Sequence, residues 1–150
     1  MSGMEDVDPV SGIWNWCATG RIDEALVRSA ISDVLGRPVS GMVEHTDDDA
    51  LLCDVFHVGG EFPTVIDTYL APAGRETEVA SAVAVRLGAA VLLPDDTLNP
   101  TRYVLAEPDG TLRAVHADEA ETEEGTERRH VRPCTGADPA CAVAPERNAA

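Results

Sequence analysis

The stretch ALLCDVFHVGGEFPTVIDTYL, residues 50–70, decides how this chain is read. Two runs rich in β-branched and aromatic residues, ALLCDVFHV (50–58) and FPTVIDTYL (62–70), are joined by Gly59, Gly60 and Glu61. Strand-forming runs on either side of a glycine turn predict a β-hairpin. One aspartate interrupts each run, Asp54 and Asp67. With Gly60 and Glu61 as the two turn residues, Asp54 lies directly opposite Asp67, on the face that also holds Phe56, Val65 and Tyr69. With a three-residue loop, 59–61, Asp54 faces Ile66 and the pairing disappears. Like charges placed opposite one another cost up to about 1 kcal/mol. The register therefore separates two readings. In one the pair is a site that holds a metal or shares a proton. In the other both aspartates sit on the solvated face of a sheet covered on one side only, where they still make that face acidic.

Outward from the hairpin, the pattern changes to helical. In RIDEALVRSAISDVLG (21–36), Ile22, Leu26, Ala30 and Val34 form a stripe that Val27, Ile31 and Leu35 widen into an apolar face. Asp23 and Glu24 suit the positive end of the helix dipole, and Gly36 followed by Pro38 is a stop signal. RETEVASAVAVRLG (75–88) predicts a second helix with Val79, Val83 and Leu87 on its spine and Gly88 as its cap. Further strands are predicted at VSGMVEH (39–45), AAVLLP (89–94), TRYVLA (101–106) and TLRAVHA (111–117). The last two flank EPDG, whose Pro, Asp and Gly supply turn chemistry. GIWNWCATG (12–20) holds both tryptophans and Cys17, and makes either an extra strand or a packed aromatic cap. The expected fold is α+β: a mostly antiparallel sheet of five to six strands, order αβββαβββ, with two helices on one face.

At 150 residues the chain has room for one domain with a core. We expect a flexible leader at 1–12, a single domain over 13–117, and an acidic, cysteine-containing, disordered tail over 118–150. The tail expectation rests on DEAETEEGTE (118–127), which has six acids and no bulky apolar residue. The N-terminus is acidic and polar, unlike a secretory signal. No apolar run approaches the roughly 20 residues of a membrane span. Both point to a cytoplasmic protein without membrane contact.

The charge balance is lopsided, with 27 acids against 11 bases and a formal charge of −16; every base is an arginine. Nucleic-acid binding is disfavoured, because phosphate contacts need clustered cations. A basic protein partner suits this surface, and the field speeds association with it. The partner-binding residues this predicts are Asp54, Asp67, Glu61 and His57 of the hairpin, with Asp47, Asp48 and Asp49 in the acidic loop before it. No GxSxG, P-loop, GxGxxG or HExxH pattern occurs, and no cofactor is expected. Cys17 and Cys53 lie in apolar contexts and read as small buried hydrophobes. In HVRPCTGADPAC (130–141), His130, Cys134 and Cys141 are a second candidate metal set, although their spacings of three and six residues are not those of a zinc knuckle.

The stretch LGAAVLLPDDTLNPTRYVLAEPDGTLRAV (87–115) resembles small acidic immunity or antitoxin-type proteins of GC-rich bacteria. That resemblance implies a non-enzymatic inhibitor that neutralises a basic toxin. The αβββαββ order is also similar to that of type III secretion chaperones, which implies a homodimeric escort for a secreted effector. A third reading is a metal-dependent hydrolase using Asp54, Asp67 and His57. Monomer and homodimer both stay open.

Overall fold

The GIWNWCA segment becomes the strand around which the sheet is built. The computed structural model describes residues 12–41, 50–72, 74–95, 101–137 and 141. In chain order the elements are β1 (Gly12–Ala18), α1 (Glu24–Leu35), β2 (Val39–Ser40), β3 (Leu51–His57) and β4 (Thr64–Ala71). Then follow α2 (Glu76–Leu87), β5 (Val91–Pro94), β6 (Arg102–Ala106), β7 (Leu112–Thr122) and β8 (Gly125–Pro133). They form one eight-stranded sheet of order β2-β3-β4-β1-β5-β6-β7-β8. All pairings are antiparallel except the short β2–β3 contact. The α+β class and the antiparallel character agree with expectation. The order αβββαβββ is corrected: β1 precedes the first helix, and β8 raises the strand number above the five to six expected.

Both helices start and stop where their end chemistry directs. The Asp23 carboxylate accepts from the Ala25 amide at 3.0 Å, satisfying a donor that the first turn leaves unpaired. Gly36 and Gly88 adopt left-handed φ of 70° and 65° and donate back into the last turn. Alternation along the strands then sorts the side chains. Trp14, Trp16 and Ala18 of β1 join Cys53, Val55, Ile66, Val91 and Leu93 on one face, against Val27, Ile31, Val79 and Val83 of the helices. The two indoles stack with centroids 5.2 Å apart. The Trp16 indole N–H, fully buried, donates to Glu76 at 3.0 Å and so avoids an unsatisfied donor.

The other face is not left open. Cys17, Val58, Phe62, Val65, Leu92, Tyr103, Leu105, Val115 and Ala117 form a second buried cluster, with Val131 of β8 packed against it. β8 is the far edge of the sheet, yet it reaches the β3–β4 turn, so the sheet rolls up on itself. A bulge in β8 makes this contact. Between the pairs His116↔Arg132 and Asp118↔Arg129, β8 carries one extra residue, and His130 sits at a φ of +56°. The amides of His130 and Val131 donate to the Glu61 carboxylate at 3.2 and 3.3 Å, while the Glu61 amide donates to the Arg128 carbonyl at 3.3 Å. Gly125 sits at a φ of +135°, which L side chains rarely adopt, and a Cβ there would also crowd Val58 at 3.1 Å.

A disordered tail beginning at Asp118 is therefore corrected: β7 continues to Thr122 and β8 follows it. The physical reason is charge pairing across the strands. Glu119 lies opposite Arg128, and the Asp118 carboxylate lies 3.3 Å from Arg132. An acidic run that looked self-repelling is neutralised by the basic run that folds back on it. Among the described residues no helix is long and apolar enough to cross a membrane. Residues 1–11 of the expected leader, the loop holding Asp47, Asp48 and Asp49, and the chain after Cys141 lie outside the described residues, while Gly12 opens β1.

Candidate binding face on the central hairpin

The register of the hairpin fixes the candidate site. Val58 donates to the Pro63 carbonyl at 2.8 Å, so residues 59–62 make the turn. A four-residue turn shares its midpoint with the two-residue reading, and Asp54 stands opposite Asp67. The three-residue alternative, with Asp54 facing Ile66, does not occur. β1 lies beside β4 and adds Asn15 opposite Asp67.

Three rows thus cross β1, β4 and β3 on the face away from the helices. The outer rows are Ile13–Tyr69–Leu52 and Cys17–Val65–Phe56, and the row between them is Asn15–Asp67–Asp54. Ile13 and Phe56 are large apolar side chains left 60% and 42% exposed. The arrangement is a carboxylate pair set between two mostly apolar rows.

Burial pushes the Asp67 carboxyl above its ordinary value of 3.8; the Asn15 amide, which donates to it, pulls the other way, and the Asp54 charge raises it further. Toward β8 a second polar group covers Cys17. The Tyr103 hydroxyl donates to Glu119, and Arg128 lies 3.7 Å from the same carboxylate. Burial and the Glu119 contact push the Tyr103 phenol up to about 12. The Arg128 Nε is buried with no hydrogen-bond partner among the described residues. Burial pushes the thiols of Cys17 and Cys53 up to about 11 each. At neutral pH both are unreactive thiols, in keeping with their reading as packing residues.

Other residues singled out from the sequence have different surroundings. The Glu61 carboxylate is occupied by the two β8 amides. His57 points to the helix side, where its Nε2 lies 2.8 Å from the Ile22 carbonyl. The grouping Asp54, Asp67 and His57 is therefore not assembled. His130 lies 3.0 Å from Asp118, and this contact, with Arg132, holds that carboxyl below its ordinary range. Cys134 and Cys141 do approach each other, at 3.9 Å between sulfurs, but the histidine beside them is His116.

Sequence reasoning missed Asn15, Tyr103, Glu119, Arg128 and His116. Asn15 had a visible signal, as the polar residue between Trp14 and Trp16 of an alternating strand. Clefts among the described residues include one of about 540 Å³ between α1 and β2, and one of about 800 Å³ bordered by Trp14, Glu76, Asp95 and Leu112 that meets the candidate face at Ile13. Comparison with protein families, with curated proteins and with solved structures yields no match.

Proposed function

We propose that this protein is a non-enzymatic acidic binding domain whose Asn15–Asp67–Asp54 row receives a cationic side chain of a protein partner, as an immunity or antitoxin-type inhibitor would. The observation that carries the reading is the opposed Asp54 and Asp67 between exposed Phe56 and Ile13. Two carboxylates held together at a cost to folding are relieved by a guanidinium or ammonium group. The apolar rows on either side suit the stem of an arginine or lysine and the apolar surface around it.

The disposition of the arginines supports the same reading. Arg28, Arg75, Arg86, Arg102, Arg113, Arg128, Arg129 and Arg132 each lie within salt-bridge distance of a carboxylate of this chain. With these eight bases answered internally, the excess of acids is what a partner meets. The partner class is a basic protein, a toxin or a secreted effector.

Purification of the full chain from its native cells, with chemical cross-linking, tests this. The expected result is a basic protein bound 1:1, with affinity that falls as salt rises. Asp54→Asn with Asp67→Asn abolishes the complex, whereas the charge-matched Glu123→Gln with Glu124→Gln leaves it. A complex unaffected by the first pair contradicts the assignment. A homodimer holding an extended peptide favours the escort reading instead.

A further inference from the structure

His116 on β7 meets Cys134 and Cys141 from the stretch after β8, and their ligating atoms all lie within 4.8 Å of one another. His116 is fully buried on β7. Its Nε2 lies 3.0 Å from the Cys141 sulfur, and its Nδ1 lies 3.1 Å from the Thr101 hydroxyl. Cys134 follows directly after β8 and is held by its own amide, which donates to the Ala114 carbonyl at 3.0 Å. Thr101 is fixed by its carbonyl, which accepts from Ala117 at 3.0 Å.

We propose that these three side chains bind one zinc ion. In a tetrahedral site with Zn–S near 2.3 Å, two thiolate sulfurs stand about 3.8 Å apart. The observed separation is 3.9 Å. An imidazole nitrogen and a sulfur on the same ion stand about 3.6 Å apart, so His116 and Cys141 open by roughly half an ångström on binding. Thr101 supplies the outer contact that such a site requires. When Nδ1–H donates to its hydroxyl, the tautomer is set and the Nε2 lone pair faces the ion.

Two thiolates and an imidazole are the soft donor set that selects zinc over magnesium or calcium. Binding releases the two thiol protons to solvent and leaves the sulfurs as thiolates. Three donors from the described residues leave a tetrahedral ion one position for water or an exogenous donor. A Cys134–Cys141 disulfide is the competing use of the two sulfurs, and it gives His116 and Thr101 no role. The ion ties the segment after β8 to the β6–β7 pair, independently of the Asp54–Asp67 row.

The test uses the full chain, purified without air and with a non-chelating reductant, then titrated with Zn²⁺ and with Co²⁺ as a spectroscopic probe. The expected result is one ion per chain, with thiolate-to-cobalt charge transfer and tetrahedral ligand-field bands. Cys134→Ser and Cys141→Ser each weaken zinc binding by at least about 100-fold. Thr101→Val weakens it by about 10-fold. His130→Gln leaves it unchanged. Either cysteine variant that retains wild-type affinity overturns the site, as does a wild-type chain without zinc. A mass lighter by two hydrogens, with both thiols blocked, assigns the pair to a disulfide. Loss of zinc in His130→Gln moves the third ligand away from His116.

Discussion

The two faces of the sheet are sealed by different physics. On one, α1 and α2 lay Val27, Ile31, Val79 and Val83 onto the tryptophans of β1, and the packing is almost entirely apolar. On the other, a charged hairpin closes over a smaller cluster and is held by Glu61, by cross-strand ion pairs and by Val131. The first face keeps its clefts at the rim, between α1 and β2 and beside Trp14 and Glu76. The second is only partly covered, and its uncovered end is where Asp54 and Asp67 stand.

Removing β8 gives the largest contrast. Truncation after Ala117 exposes Val58, Phe62, Val65 and Leu105 and deletes the partners of Glu61. It should cost on the order of 5 kcal/mol, enough to unfold a domain of this size in urea denaturation. A truncated chain as stable as the full one would mean that the hairpin only decorates the fold.

Next comes a paired comparison of the two covers. Ile31→Ala, in the helix-side core, should cost about 3 kcal/mol through lost burial and a residual cavity. Val131→Ala, under the hairpin, should cost about 1 kcal/mol because the side chain is only partly buried. Equal losses would erase the distinction between the faces. Of similar size is the clasp: Glu61→Ala should cost about 1 kcal/mol, since the bulge amides of His130 and Val131 can turn to water. Faster amide exchange at those two residues would locate the effect.

The apolar parts of this architecture were legible in the sequence, and the charged part was not. Both helices lie within the predicted segments because an apolar stripe and a capping glycine are local signals. The position of GGE left two registers open, and the structure adopts the one that pairs Asp54 with Asp67. β8 was hidden because DEAETEEGTE and ERRHVR each read as too polar for a core. Their complementarity appears only when 118–122 is laid antiparallel to 125–129, with acids against arginines across a glycine turn. The metal reading failed in the same way. His130 was nearest to the cysteines along the chain, while the roll of the sheet brings His116 nearest in space.

The smallest stability effect falls in the Asn15–Asp67–Asp54 row. A carboxyl raised on folding binds its proton more tightly in the native state. Below 3.8 both states hold the proton. As pH rises from there through the raised native value, the unfolded chain gives it up first, and stability is lost. At neutral pH Asp67 therefore weakens the fold, and Asp67→Asn should stabilise it by about 0.5 kcal/mol, the scale of relieving one like-charge pair.

The most direct test is a carbon-detected NMR titration of the Asp67 and Asp54 carboxyls, alone and with a hexa-arginine peptide as the cationic probe. Asp67 should titrate above 3.8 in the free protein and move downward when the peptide binds, with the shift lost in Asp54→Asn. An Asp67 that titrates at or below the ordinary value, and does not respond to the peptide, would contradict the claim that this row is built to receive a cation.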